Sequence, residues 1–475
     1  MQKMLIGGHL VGAEEWLPVL NPYTGEPVDY VARGGAMQVD QAVALARHGA
    51  ERMRDLPLAH RATLLRHVAE LIRQEHQSLA TLLTLETGKL IGESRTEVER
   101  AATVFDLAAE ACHHPRATQF PPESFTDGAA RFGFWAREPM GVVASILAFN
   151  LPLAHAAQKA APAIAAGNAV ILKPSTEAPL TVLRLGLLLY RAGVPREALS
   201  ILTGKGEEVG RALTAHPLVQ HLTFTGSREV GLKLPAHAGA KRIETELDTV
   251  GALIATSSAN SDEVAEVIAC CGYLIAGQSP SSIQHVWAHE SLYPTLIDAL
   301  VARLQTLRWG DPMDESTSLP PLIHPNALAR VDELVQRTLQ AGGRAVVGGH
   351  AEPPFYLPTL IVEAPYNAPI YTEAVFGPVV LLHPYDTIEA LLKRVNSLSI
   401  SLRLSVFTRD IAEAFEIARC ARALSVHVND APTLPIDPIM RGDTQEHHMC
   451  FEDMLQRIER LSQPKYISFG KIPLR

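Results

Sequence analysis

Between Val39 and Cys112, apolar residues recur at spacings of three and four with charges between them, as in the run HRATLLRHVAELIRQEHQSLATLLTLE from His60 to Glu86. That period predicts amphipathic helices. Before it, to about Tyr30, short apolar runs broken by Gly7-Gly8 and Asn21-Pro22 read as strands and turns. A proline-rich break follows at Pro115–Pro122, and the pattern then changes. Met140–Leu147 is short, apolar and rich in β-branched residues, which predicts a buried strand. Ala169–Leu172, ending at Lys173-Pro174, predicts a second, Leu199–Thr203 a third and Gln220–Phe224 a fourth, with a helix over Thr181–Ala192. The stretch from Ala255 to Asp437 repeats the alternation, with strands expected at Ile283–Ala288, Ala345–Val347, Val379–Leu382, Leu404–Phe407 and Ser425–Val428. Strands alternating with helices of ten or more residues indicate βαβ units and parallel sheets. Two α/β domains are expected, with a boundary near Glu246–Ser257, and no internal repeat stands out.

Composition narrows the function. The chain has 475 residues, 47% of them hydrophobic, enough for large cores. Its 42 basic and 51 acidic residues leave a charge of −9, which argues against a nucleic-acid binder needing a basic stripe. No run of 18 apolar residues would span a membrane. The start, MQKMLIGGHLVGAEEW, does not read as a signal peptide. The five cysteines, Cys112, Cys270, Cys271, Cys420 and Cys450, are irregularly spaced and suggest a reducing, cytoplasmic setting rather than a disulfide framework.

Three features lie close together in the first α/β region. Phe149-Asn150-Leu151-Pro152 follows a buried strand, Gly167–Pro174 ends a second strand at Lys173, and Phe224-Thr225-Gly226-Ser227 ends another, preceded by Gly204, Gly206 and Gly210. A Lys at a strand end can donate to ribose hydroxyls, and a Ser opening a helix after glycine turns suits a phosphate. Each feature alone is weak, since a lone strand-end Lys is more often a solvated charge.

Together and in this order they resemble the aldehyde dehydrogenase superfamily over nearly the whole chain. Glu86-Thr87-Gly88-Lys89, Arg137–Val142, Phe376-Gly377-Pro378, Ser405–Asp410 and Val428-Asn429-Asp430 extend the likeness. Asn429-Asp430-Ala431-Pro432-Thr433 with Pro464-Lys465 looks like the branch acting on lactaldehyde, phosphonoacetaldehyde and similar short polar aldehydes. The resemblance implies an α/β fold with three parts. They are a Rossmann-like dinucleotide-binding domain (residues 1–115 and 138–246), an oligomerisation flap (116–137 and 464–475) and a catalytic α/β domain (247–463). It implies a homodimer or tetramer, a small aldehyde ligand and NAD or NADP as cofactor. It also implies a reaction in which a cysteine thiolate attacks the aldehyde, hydride passes to nicotinamide, and a Glu-activated water releases the acid. The cofactor residues it implies are Phe149, Lys173, Ser175, Thr176, Gly206, Gly210, Phe224, Thr225, Gly226, Ser227 and Phe376, with Asn150 and Glu246 on the catalytic side.

This sequence departs from the family where the chemistry is done. The family's Gly-Gln-x-Cys reads Gly277-Gln278-Ser279-Pro280, so Pro280 occupies the position of the nucleophile. Sulfur is lost, and so is the backbone N–H that in the family shares the oxyanion hole with the side chain matching Asn150. Loss of a covalent nucleophile costs on the order of 10⁶ in rate, about 8 kcal/mol. Cys271, nine positions earlier, reads as a buried helix cysteine, and Cys450 falls in the C-terminal segment. Ser279, Ser281 and Ser282 would need a base to attack. Glu246 matches the family's general base, but its Glu-Leu-Gly-Gly is Glu246-Leu247-Asp248-Thr249 here. Both replaced glycines should crowd the nicotinamide side. Glu246 reads equally as a solvated strand-end charge. The ribose-binding Glu is Thr176, with Glu177 displaced by one, and the second is Ala374. That leaves NAD or NADP, with binding weakened. The C-terminal stretch is Arg441–His448, where His447 and His448 lack a metal-ligand cluster and read as a surface loop.

Three readings follow. In the first, a catalytically impaired homologue acts as a binding, regulatory or scaffold subunit, beside an active paralogue or another protein. In the second, an altered oxidoreductase on short polar aldehydes uses Glu246 and Asn150. In the third, a purely structural partner binds no nucleotide.

Overall fold

A computed structural model describes residues 1–115, 118–120, 132–247, 249–398, 402–432, 439–442 and 450–469. Two seven-stranded sheets organise them. The first runs, edge to edge, through Arg242–Glu246, His221–Thr225, Val142–Ile146, Ala169–Lys173, Leu199–Ile201, Met4–Ile6 and His9–Val11. Its first five strands are parallel, and the two N-terminal strands close the edge antiparallel. The second runs through Arg344–Val347, Thr359–Val362, Val379–Tyr385, Ile283–His289, Val250–Ala255, Leu402–Phe407 and Ser425–Val428. All its neighbours are parallel except Arg344–Val347. Each sheet carries its own core, Val170, Ile171 and Leu172 in one and Leu253, Ile254 and Trp287 in the other.

Two strands of the second sheet escape the hydrophobic reading. Val250–Ala255 lies within the stretch expected to be a boundary, yet it is fully buried between Ile283–His289 and Leu402–Phe407. Its run is only six residues and adjoins a polar turn, so periodicity alone does not separate it from a linker. Thr359–Val362 is four residues long and follows a proline-rich turn. The helical expectation for Val39–Cys112 resolves into helices Ala36–Asp55, Leu58–Gln74, His76–Thr87 and Ile91–Ala111. Ser462–Phe469, Phe132–Pro139 and Thr118–Phe120, which include described residues of the segments expected to form a flap, make an antiparallel three-stranded sheet.

The Glu86-Thr87-Gly88-Lys89 motif is spent on helix ends. Glu86 accepts from the backbone N–H of Leu180 and Thr181 at 2.7 and 3.0 Å, opening the helix Leu180–Ala192. Glu97, ion-paired with Lys89, accepts from Leu153 and Ala154 at 2.9 and 3.0 Å, opening the helix Pro152–Ala166. Buried carboxylates at helix N-termini satisfy orphan donors and oppose the helix dipole favourably. These two helices flank the segments that carry Asn150 and Lys173, so the motif fixes the frame of the site.

Candidate active site and nucleotide cleft

In the first sheet the chain winds from Val142–Ile146 through Ala169–Lys173 and Leu199–Ile201 on one side. It then returns to place His221–Thr225 and Arg242–Glu246 on the other. The switch point lies at the carboxyl ends of Val142–Ile146 and His221–Thr225, where ligands of open parallel sheets bind. Register brings Ile146 beside Lys173 and Phe224, and Thr225 beside Glu246.

A cavity of about 940 Å³ opens there. Ten of the eleven expected cofactor residues line it: Phe149, Lys173, Ser175, Thr176, Gly206, Phe224, Thr225, Gly226, Ser227 and Phe376. Gly210 does not; it is buried where a helical turn passes into the helix Arg211–Ala215. Lys173 is 3% exposed, and its ammonium has no hydrogen-bond or ion-pair partner among the described residues. Burial pulls its pKa down to about 8, with Glu177 opposing. An unpaired buried cation is costly, so a ligand's oxygens are the fitting partner. Glu177 bonds to the Ser175 hydroxyl and stays on the wall beside Thr176.

Asn150, Glu246 and Pro280 do not line this cavity. Asn150 and Glu246 are buried and Pro280 is half-buried. Asn150 is 2% exposed, and its amide donates to the Gln278 carbonyl at 3.1 Å. Gln278 in turn donates to the Ile275 carbonyl and accepts from the Ile323 N–H at 3.1 and 3.0 Å. The Thr249 hydroxyl, 2% exposed for the residue as a whole, donates to the Pro280 carbonyl at 2.6 Å. Asp248 lies outside the described residues, as do Thr433, His447 and His448, and nothing is described of the side chains of Arg441 and Cys450.

The loop is locked by geometry. Gly277 has φ +73°, and a Cβ there would lie 1.9 Å from the Gly377 carbonyl oxygen. Ile275 and Ala276 are held at φ 51°, and the Ile275 N–H donates to Glu93 at 2.9 Å. Ser279 and Ser281 pair with each other at 3.1 Å, and Ser282 donates to the carbonyls of Cys271 and Gly272. Neither arrangement supplies a base. Cys271 is buried near the end of the helix Ser261–Gly272.

Glu246 is not a solvated strand-end charge. It is 8% exposed and accepts from the Lys159 ammonium at 2.6 Å and the Thr225 hydroxyl at 3.1 Å. The Arg457 guanidinium lies 3.6 Å from it and 3.8 Å from Glu244. Burial alone would raise the Glu246 pKa, but Lys159 and Arg457 outweigh it and hold the carboxyl well below the usual carboxylate range. Lys159 and Arg457 are the residues sequence reasoning missed. Lys159 had a signal: it is the only Lys, Arg, Asp or Glu in the apolar helix PLAHAAQKAAPAIAA, where a lone charge implies a buried partner. Arg457 had none, because the helix Met454–Arg460 carries other charges as well.

Comparison with known proteins places this geometry. Residues 10–443 match the model of the aldehyde dehydrogenase family. A 3-sulfolactaldehyde dehydrogenase of Priestia aryabhattai is 32% identical over 464 residues, covering 98% of this chain and 97% of that one. A lactaldehyde dehydrogenase of Methanocaldococcus jannaschii is 30% identical over 472 residues, covering 98% of this chain and 100% of that one. The crystal structure of glyceraldehyde-3-phosphate dehydrogenase GapN from the latter organism, complexed with NADP, superposes with a TM-score of 0.91 at 29% identity, covering 96% of this chain and 99% of that one. The names of the two relatives agree with the likeness to the lactaldehyde-type branch.

Proposed function

This chain belongs to the aldehyde dehydrogenase family, and from that premise we propose that it has kept the nucleotide cleft and lost the family's covalent reaction. It would then serve as a binding, regulatory or scaffold subunit, as a homodimer or tetramer or beside an active paralogue. The observation that carries this reading is the Thr249–Pro280 hydrogen bond. A side chain stands where the family has glycine, and it clasps a residue that has neither thiol nor N–H. Asn150 supports the same reading, because its amide already serves the Gln278 carbonyl. The altered-enzyme reading needs Glu246 as a base. A carboxylate stabilised by two cations is a weak one, since proton abstraction follows basicity.

On the cofactor side, Lys173 and its neighbours favour retained binding of NAD or NADP, weakened by the replacement of two ribose carboxylates with Thr176 and Ala374. The expected partition into residues 1–115 with 138–246, 116–137 with 464–475, and 247–463 belongs to the same proposal. The test is a thermal-shift titration with NAD⁺ and NADP⁺, paired with turnover of lactaldehyde. A saturable shift of about 2.7 kcal/mol at a hundred times Kd, without turnover, is expected. Turnover above about 1 s⁻¹, within the ordinary enzyme range, would refute the proposal.

A further inference from the structure

The helix Ser261–Gly272 closes on two adjacent cysteines that the cleft does not use. Cys270 is exposed, Cys271 is buried, and both are free thiols. Their side chains are hydrogen-bonded to each other. Donation from Cys271 pulls the Cys270 thiol pKa down, against partial burial and the charges of Glu266 and Glu93. Arg303, 3.4 Å from Glu266, offsets part of that opposition. An accessible thiol favoured as thiolate, with a second thiol in contact, is the arrangement that oxidants select. The same helical turn anchors the loop that carries Pro280. The Ser282 hydroxyl donates to the carbonyls of Cys271 and Gly272 at 3.2 and 2.8 Å, two of the acceptors that a helix end leaves open. The Ser282 carbonyl accepts from the Gly251 N–H at 2.8 Å, near the start of the strand Val250–Ala255.

We propose that Cys270 and Cys271 form a hydroperoxide-sensitive redox pair whose closure releases the loop of residues 277–282. The Cys270 thiolate attacks one oxygen of hydrogen peroxide. The O–O bond breaks, Cys270 becomes a sulfenic acid, and the other oxygen leaves as water. The Cys271 sulfur then attacks the Cys270 sulfur, the S–O bond breaks, and a second water leaves. The two thiols lose two electrons and two protons, and the peroxide takes them up. Neighbouring Cα atoms are about 3.8 Å apart, below the roughly 4.4–6.8 Å that a relaxed disulfide spans. The S–S bond therefore closes only if the last helical turn opens, and the carbonyls of Cys271 and Gly272 then leave the Ser282 hydroxyl. A strained bond of this kind is readily reduced, so the change is reversible. The inference is independent of whether the cleft binds a nucleotide.

Peroxide treatment of the full chain, followed by tryptic mapping and hydrogen–deuterium exchange, tests this. The tryptic segment of residues 243–303 holds Cys270 and Cys271 and no other cysteine. It should lose two hydrogens and regain them with dithiothreitol. Exchange in the loop of residues 277–282 should become about tenfold faster, the change expected when an anchor worth about 1.4 kcal/mol is lost. The strand Ala169–Lys173, in the other sheet, should stay unchanged. Cys270→Ser, at an exposed position that tolerates change, should abolish both effects. Cys271→Ser should leave a sulfenic acid at Cys270 that dimedone traps. A segment that keeps both thiols free, or that takes up oxygen at Cys270 without losing hydrogens, would overturn the inference. So would a disulfide that leaves exchange in the loop unaltered.

Discussion

Removing the Lys159 ammonium isolates the role of Glu246. In the native chain the pair is 2.6 Å apart, with side chains 1% and 9% exposed. Arg457, at 3.6 Å, is shared with Glu244. Lys159→Met keeps the apolar stem and deletes the charge. It leaves Glu246 buried with half an ion pair, a change that costs about 3–5 kcal/mol where the environment is dry. Glu246→Gln alone leaves Lys159 equally unpaired and should cost a similar amount. The double variant removes both charges and restores a neutral, hydrogen-bonding site. It should lie near the wild type, because a buried pair replaced as a pair is close to neutral.

For a cooperative unit of about 200 residues, the single variants should each lower the unfolding midpoint by on the order of 10 °C. The double variant should recover most of that loss. The cycle would then give a coupling of about 3 kcal/mol or more. Thermal unfolding followed by near-ultraviolet circular dichroism measures all four proteins. Additive losses, with the double variant worse than either single one, would refute the ion-pair assignment. They would return Glu246 to the status of a free carboxylate available as a base.

Other perturbations probe the remaining parts. His285 and His383 are stacked rings in the second core, 6.0 Å apart, and burial pulls their pKa values down to about 3 and about 4. The unfolded chain binds protons below about pH 6.5 that the folded chain refuses, so stability should fall as pH drops from 6.5 to 4. The loss should be about 3 kcal/mol per histidine at pH 4, and His285→Phe should flatten that slope; an unchanged slope would refute it. Gly277→Ala should cost about 2–4 kcal/mol, since its Cβ would strike the Gly377 carbonyl. Gly206→Ala, which meets nothing within 4 Å, should stay within about 0.5 kcal/mol; equal midpoints for the two would argue against the locked loop. Pro280→Cys should not restore aldehyde oxidation at family rates, because Thr249 and the Glu246 ion pairs are untouched. Steady-state NAD(P)H formation comparable to that of an active relative would show otherwise.

How much of this was legible in the sequence depended on whether a residue's role is local. Lys173, Ser175 and Thr225–Ser227 sit at strand ends and turns, where a short motif carries its own geometry, and they gather around one cavity. Val250–Ala255 was hidden because a six-residue buried strand has no polar alternation to mark it. Glu246 could be placed by motif, but its state could not. That state is set by Lys159, 87 residues away in sequence, and by Arg457, farther still. Thr249 shows the same limit from the other side. Its identity at a glycine position led to the expectation of crowding, and only the fold reveals that the hydroxyl donates to the Pro280 carbonyl. On the proposed reading the substituted glycine and the lost thiol meet in the Thr249–Pro280 bond, while the Glu246 carboxylate is held separately by Lys159 and Arg457. Restoring any one of them leaves the other two in place, which is why single reversions are expected to change stability more readily than activity.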